Sequence, residues 1–183
     1  MNEYLNLFKK IMNMNLVGYE EVGWREYLTM KYSWAVPNEK AILTISKYSP
    51  IIEIGAGTGY WAMLLKNQGI DLVAYDLYPF KDNLYHNLIQ WFPVEKGTPK
   101  DLKYHPQRNL FLCWPPYKDN MAFECLRWFK GKIFIYIGEK IEGCSATKDF
   151  FENLIRDFKL IEKIKIPQWW RIHDNLTIWE RKN

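Results

Sequence analysis

Three glycines follow one another closely in the segment 53–59 (EIGAGTG), which comes directly after the apolar run Ile51 to Ile54. Glycine lets the backbone turn sharply and lets a ligand approach the main chain. The helix-like segment from Trp61 begins just beyond, and a helix start offers unpaired N–H groups to an anion. This order predicts a site for a nucleotide-like ligand; the alternative is a tight strand-to-helix turn that binds nothing.

The spacing of these glycines argues against a dinucleotide site. The GxGxxG fingerprint needs glycine where Tyr60 stands, and Gly59 comes one residue too early. Asp76 closes the next apolar run, roughly 20 residues beyond Glu53, where a carboxylate that binds ribose hydroxyls is expected. A ribose-binding role for Asp76 is therefore favoured over its alternative, a solvated aspartate in a turn.

An acidic residue followed by GxGxG, with a second acidic residue ending the next strand, resembles the class I S-adenosylmethionine-dependent methyltransferases over residues 37–183. The resemblance implies S-adenosylmethionine as cofactor, with Asp76 on its ribose and the glycine loop beside its methionine part. The adenine-contacting acidic residue of the family has no clear equivalent near Glu95, where backbone groups of Gly97 or Thr98 can replace it. The expected cofactor-binding residues are Glu53, Gly55, Ala56, Gly57, Gly59, Asp76 and Trp114.

Trp114 begins the segment Trp114-Pro115-Pro116-Tyr117, which follows the apolar run Leu110 to Cys113. It resembles a motif of methyltransferases that act on amino groups of nucleic-acid bases or of protein glutamines, which have a polar residue before Pro-Pro-aromatic. Tryptophan departs from that motif because the indole N–H is only a donor. We expect Trp114 and Tyr117 to be walls of the pocket, with Trp114 facing the sulfonium cation; the alternative is a core tryptophan capped by Tyr117. Tyr32 and Trp34 are weaker candidates for the same wall.

His173, beside Asp174, is the most plausible proton acceptor, because imidazole titrates near neutral pH. Methyl transfer needs a base only if the acceptor must lose a proton. The expected catalytic residues are therefore His173 and Tyr117, with Glu139 as a secondary candidate and a surface histidine as the alternative for His173. His86 and His105 lack a metal-binding spacing, so no metal is expected.

Apolar patterns predict the elements that would position these residues. Two helices, Glu3 to Leu16 and Glu20 to Ser33, precede a third that starts near Asn38 and buries Ile42, Leu43 and Ile45. Seven strands follow: Ile51 to Ile54, Leu72 to Tyr75, one near Val94, Leu110 to Cys113, Ile133 to Ile137, Leu160 to Ile166 and Leu176 to Trp179. The intervening helices are Trp61 to Asn67, Asp82 to Gln90, Asp119 to Phe129 and Ala146 to Phe158.

The last two strands should pair antiparallel, because the segment between them is too short for a crossover. We expect an α/β three-layer sandwich with a mostly parallel seven-stranded sheet whose last strand is antiparallel. One domain over residues 1–183 is expected, with a helical extension (1–36) before the cofactor-binding core (37–183).

Composition excludes several protein classes. Apolar residues make up 48% of the chain and charged residues 25%, as in soluble globular proteins. The net charge of +4 is spread along the chain without a basic block. The three cysteines are scattered, so we expect them to be reduced thiols. The sequence pattern predicts neither a signal peptide nor a membrane span. We expect a cytoplasmic methyltransferase acting on a small molecule. The alternatives are a nucleic-acid or protein acceptor, and a module that binds S-adenosylmethionine or a partner without catalysis.

Overall fold

The computed structural model describes residues 2–141 and 143–182, and its centre is a seven-stranded sheet. The strands lie in the order β3-β2-β1-β4-β5-β7-β6, and β7 is antiparallel to both of its neighbours. The strands are β1 (Ile51–Ile54), β2 (Leu72–Asp76), β3 (Glu95–Lys96), β4 (Asn109–Cys113), β5 (Ile133–Gly138), β6 (Phe158–Lys165) and β7 (Asn175–Arg181). The predicted topology, including the antiparallel last strand, is confirmed.

Six α-helices accompany the strands in the part of the chain that the structure describes. They are α1 (Glu3–Met12), α2 (Tyr19–Lys31), α3 (Glu39–Ser46), α4 (Tyr60–Lys66), α5 (Met121–Trp128) and α6 (Lys148–Asp157). Helix α3 begins where the sequence predicts, because the Asn38 side chain accepts the Ala41 N–H at 2.8 Å. The first two helices end at Met12 and Lys31, before the predicted ends at Leu16 and Ser33.

Neighbouring residues of β1 enter different apolar cores because side chains alternate across a strand. Ile51 belongs to a core formed with α1, α3 and α4, whereas Ile52 belongs to a core formed with α5 and α6. Helices therefore cover both faces of the sheet. Leu43 was expected in the first core, but it is 50% exposed, since α3 turns Ile42 and Ile45 toward the sheet instead.

The prediction of a helix from Asp82 to Gln90 is wrong. A short 3-10 turn, Phe80–Asp82, is followed by irregular chain. The Asn83 side-chain oxygen accepts the N–H groups of Tyr85 and His86 at 2.9 and 3.0 Å, and this local pattern replaces the helical one. Residues 83–92, called the covering segment below, are held instead by contacts with distant parts of the chain.

Tyr4 attaches helix α1 to the rest of the fold. Its ring is fully buried and stacks on Tyr32 with centroids 4.8 Å apart. Its hydroxyl donates to the Ser33 carbonyl and accepts the Trp169 indole N–H, each at 3.0 Å. The N-terminal helices are thereby joined to the loop between β6 and β7.

Tyr4→Ala is expected to lower the free energy of unfolding by about 3 to 5 kcal/mol, as for other large aromatic side chains removed from a core. Tyr4→Phe keeps the ring but leaves the Trp169 N–H unpaired, so we expect a smaller loss of about 1 to 3 kcal/mol. Urea denaturation measures both variants. Equal stability of Tyr4→Ala and the wild type would contradict this packing.

Candidate functional site

The glycine loop joins β1 to α4 at the carboxyl edge of the sheet. Its three glycines, Gly55, Gly57 and Gly59, all have positive φ angles, between 55° and 77°. The Gly57 N–H donates to Asp76 Oδ2 at 2.9 Å. The structure therefore brings the loop and Asp76 together at one edge of the sheet, as the strand order requires.

Asp76 ends β2 and is 9% exposed. Its second oxygen, Oδ1, accepts the Tyr78 N–H at 2.9 Å and the Asn83 side-chain amide at 3.3 Å. Burial raises the pKa of Asp76, and these hydrogen bonds oppose the rise. Both oxygens of this carboxylate thus have donors among the described residues.

Glu53, one residue before the end of β1, is only 1% exposed, and its Oε2 has no hydrogen-bond partner among the described residues. Burial, assisted by the charge of Asp76, raises the pKa of Glu53 well above its ordinary value. A buried carboxyl oxygen without a partner is unfavourable until a donor reaches it. Its place beside the glycine loop suits a cationic group such as the ammonium of an amino acid.

A narrow cleft lies between the glycine loop and the segment that links α2 to α3. Tyr32 and Trp34 line the cleft on the helical side. Cys113, at the end of β4, and Trp114, directly after it, line it on the sheet side. The rings of Trp34 and Trp114 stack with centroids 5.0 Å apart and planes at 16°. Glu53, Gly55 and Ala56 line it from the glycine loop, and His86 also borders it. The predicted cofactor residues Gly57, Gly59 and Asp76 are not among its lining residues.

Trp114 is held firmly in this wall. Its backbone adopts a positive φ of 53°, and its N–H donates to the Ile137 carbonyl at 2.8 Å. Its indole Nε1 donates to Asp174 Oδ1 at 2.7 Å. Asp174 is 1% exposed, its Oδ2 has no partner among the described residues, and burial raises its pKa to about 8.

Sequence reasoning assigned no role to Asp174. The available signal was chemical: a donor-only tryptophan at a position that is usually polar requires an acceptor nearby. The loop between β6 and β7 supplies that acceptor.

The covering segment lies over the glycine loop. A Cβ atom on Gly57 would come within 2.6 Å of His86 Cδ2, so the histidine ring occupies the space that the glycine leaves open. His86 Nδ1 is 2.9 Å from the Thr29 carbonyl, and the Trp91 N–H donates to the Thr58 carbonyl at 2.8 Å. Burial lowers the pKa of His86 to about 4. This segment covers the side of the loop that leads to Asp76.

Tyr117 and His173, the predicted catalytic residues, both have exposed side chains. The Tyr117 ring is 50% exposed and lies 5.2 Å from Lys118 Nζ. Among the described residues, no hydrogen bond or ring contact joins Tyr117 to His173. Their placement in one acceptor pocket remains a prediction.

Glu139 joins the two loops that follow β5 and β6. Its Oε2 accepts the Cys144 N–H at 2.8 Å, and its Oε1 accepts the His173 N–H at 2.9 Å. The carboxylate therefore holds the backbone of His173 in place, which favours a positioning role over proton transfer.

The remaining histidine contacts are with the protein itself. His105 Nε2 lies 3.1 Å from the Tyr75 hydroxyl. Within residues 2–141 and 143–182, no group of three or more His, Cys, Asp or Glu side chains is arranged to hold a metal ion.

In the same residues, none of the helices has the length and apolar character to cross a bilayer.

Solved structures with a similar fold include several described as methyltransferases. A proposed tRNA methyltransferase from Streptococcus pneumoniae matches with a TM-score of 0.52 and 10% identity, over 80% of this chain and 72% of its own. A proposed RNA methyltransferase from Pyrococcus horikoshii matches over 100% of both chains, with a TM-score of 0.52 and 12% identity. A Rossmann-superfamily protein from Streptococcus agalactiae matches over 81% of this chain and 71% of its own, with a TM-score of 0.52 and 11% identity.

The chain has a Rossmann-like α/β fold. No family model and no curated protein matches the sequence. At these identities the similarity establishes the fold alone, and activity and acceptor require separate argument.

Glu139→Ala is expected to lower the free energy of unfolding by about 2 to 3 kcal/mol, because two backbone N–H groups lose their acceptor. His173→Ala is the matched control. It removes an exposed side chain and keeps the N–H that Glu139 binds, so we expect a change within about 0.5 kcal/mol. Thermal or urea denaturation measures both, and equal losses would contradict the role given to Glu139.

Proposed function

We propose that this protein binds S-adenosylmethionine in the cleft beside the glycine loop and transfers its methyl group to a small-molecule acceptor. The observation that carries the proposal is Glu53 Oε2, a buried oxygen that has no partner among the described residues and lies in a cleft walled by Trp34 and Trp114. A ligand with a cationic amino group and a sulfonium would satisfy both features.

The cleft, the glycine loop and Asp76 have separate parts in this proposal. Glu53 binds the ammonium of the methionine moiety, and Asp76 binds the ribose hydroxyls. Gly55, Ala56, Gly57 and Gly59 form the loop that the cofactor approaches, with Trp114 beside the sulfonium. Bound S-adenosylmethionine supplies an electrophilic methyl group, while the protein positions the acceptor for in-line attack.

The two ends of this proposed site differ in accessibility. The methionine end has the cleft, which His86 also lines, and the Glu53 oxygen that has no partner among the described residues. At the ribose end, Asn83 is bonded to Asp76 and His86 packs on Gly57. The covering segment therefore has to move before Asp76 can bind a ribose.

A small-molecule acceptor is favoured by the environment of Trp114. In the polar-Pro-Pro-aromatic motif the first side chain accepts hydrogen bonds from a target amine, whereas Trp114 donates its only polar hydrogen to Asp174. We propose that Tyr117 borders the acceptor and that His173 takes a proton where the acceptor must lose one. A nucleic-acid or protein acceptor is the second possibility, supported by Pro115-Pro116-Tyr117.

Binding of S-adenosylhomocysteine and S-adenosylmethionine is expected to raise the melting temperature, because a ligand specific for the folded state stabilises it by mass action. NAD should have a much smaller effect, since the glycine spacing does not suit it. Calorimetry gives the affinities of all three. Tighter binding of NAD than of S-adenosylhomocysteine would refute the cofactor assignment.

Transfer itself is tested with methyl-labelled cofactor and separate pools of small metabolites, RNA and protein. Label in the small-molecule pool supports the proposed acceptor class, and label in RNA or protein replaces it with the second one. Cofactor binding without release of S-adenosylhomocysteine in any pool would favour a non-catalytic binding module.

His86→Ala is expected to raise the affinity for S-adenosylhomocysteine by about threefold to tenfold, because a larger fraction of molecules has the ribose end uncovered. Leu84→Ala is the matched control, as Leu84 belongs to the same segment but is 82% exposed. Its affinity should equal that of the wild type. Weaker binding by His86→Ala would mean that the ring contacts the cofactor instead of covering its site.

A further inference from the structure

Asp174 is a buried carboxyl group that no step of the proposed reaction uses. It is 1% exposed, and its Oδ1 accepts the Trp114 indole N–H at 2.7 Å. Its Oδ2 has no partner among the described residues. An unpaired buried oxygen is unfavourable for folding, so a contribution to binding would explain its presence.

The group that Asp174 contacts is a wall of the cleft. Trp114 lines the cleft together with Glu53, and its ring is stacked on Trp34. The backbone of Trp114 has a positive φ of 53°, which is uncommon for a large side chain. The ring is therefore fixed by its stacking partner and by its bond to Asp174.

A carboxylate that accepts an indole N–H changes the electrostatics of the ring. It adds negative potential at one edge and polarises the indole, and hydrogen-bonded groups in a low-dielectric site polarise one another more strongly than in water. A cation beside an aromatic ring is attracted by this negative potential. A neutral group of similar size gains much less.

We propose that Asp174, acting through Trp114, is a positioning residue that makes the cleft prefer the sulfonium of S-adenosylmethionine over the neutral thioether of S-adenosylhomocysteine. This inference rests on the proposed function. It concerns the one charge that methyl transfer removes, because the product sulfur is uncharged. The cleft would thus bind S-adenosylmethionine more tightly than S-adenosylhomocysteine, and its affinity for the bound cofactor would fall once the methyl group is transferred.

The titration of Asp174 supports this assignment. Burial raises its pKa to about 8, the Trp114 hydrogen bond opposes the rise, and the nearby charge of Glu139 adds to it. Without a cation the carboxyl group is therefore mostly protonated at neutral pH. A cation beside Trp114 favours the ionised form, so the negative charge is present when the sulfonium is bound.

The test compares the affinities of S-adenosylmethionine and S-adenosylhomocysteine, measured by calorimetry for the wild type and for Asp174→Asn. Asparagine keeps the size and an oxygen acceptor for Trp114 but cannot ionise. We expect the affinity for S-adenosylmethionine to fall about fivefold to tenfold, and that for S-adenosylhomocysteine to stay within about twofold. An unchanged ratio of the two affinities would overturn the inference.

Two further variants separate this role from a structural one. Glu139→Gln neutralises another buried carboxyl group of the same edge, one that binds backbone N–H groups. It also removes a charge that helps to raise the pKa of Asp174, so Asp174 ionises more readily and the ratio should not fall below that of the wild type. Trp114→Phe removes the indole N–H, so adding Asp174→Asn to it should have no further effect on the ratio. A further fall of the ratio in the double variant would show that Asp174 does not act through Trp114.

The outcomes also distinguish this inference from the proposed function. If the wild type binds neither cofactor form, the proposed function fails and this inference fails with it. If both forms bind and the ratio is the same in the wild type and in Asp174→Asn, only the role of Asp174 is refuted.

Discussion

Four carboxyl groups are buried along one edge of the sheet, and the arrangement of the candidate site follows from how each is satisfied. Asp76 and Glu139 receive backbone N–H groups on both oxygens and thereby fix the loops around them. Glu53 and Asp174 each keep one oxygen without a partner among the described residues. The hydrogen bonds of the first pair lie within the fold, whereas the unpartnered oxygens of the second pair require a ligand or a functional reason.

The two carboxyl groups that each have an unpartnered oxygen, Glu53 and Asp174, both contact the same cleft or a residue that lines it. Glu53 lines it directly, and Asp174 reaches it through the indole of Trp114. Both carboxyl groups have raised pKa values caused mainly by burial, so both gain from a positive charge nearby. A ligand with two cationic centres, as S-adenosylmethionine has, matches this distribution better than a neutral ligand or an anion.

Sequence patterns predicted the middle of the sheet well because β1, β4 and β5 are short apolar runs, and burial on both faces leaves few alternatives for such runs. They also placed Glu53, Asp76 and the glycines at one edge, since the order of parallel strands determines which ends meet. The segment from Asp82 to Gln90 was predicted wrongly, because Asn83 is bonded to Asp76 and His86 is held by Thr29, which is 57 residues away in sequence. Local periodicity contains no information on such contacts.

The covering segment connects the cofactor end of the sheet to the N-terminal helices. His86 is bonded to the Thr29 carbonyl, and the Trp91 indole N–H donates to the Lys31 carbonyl at 2.7 Å, so both contacts end on the last turns of α2. The Thr58 hydroxyl donates to the Tyr32 carbonyl just beyond that helix. A displacement of the segment from Gly57 would break the His86 contact with α2. Under the proposed function, uncovering Asp76 would therefore require a rearrangement where α2 meets the glycine loop, so the helices before the sheet would take part in cofactor entry.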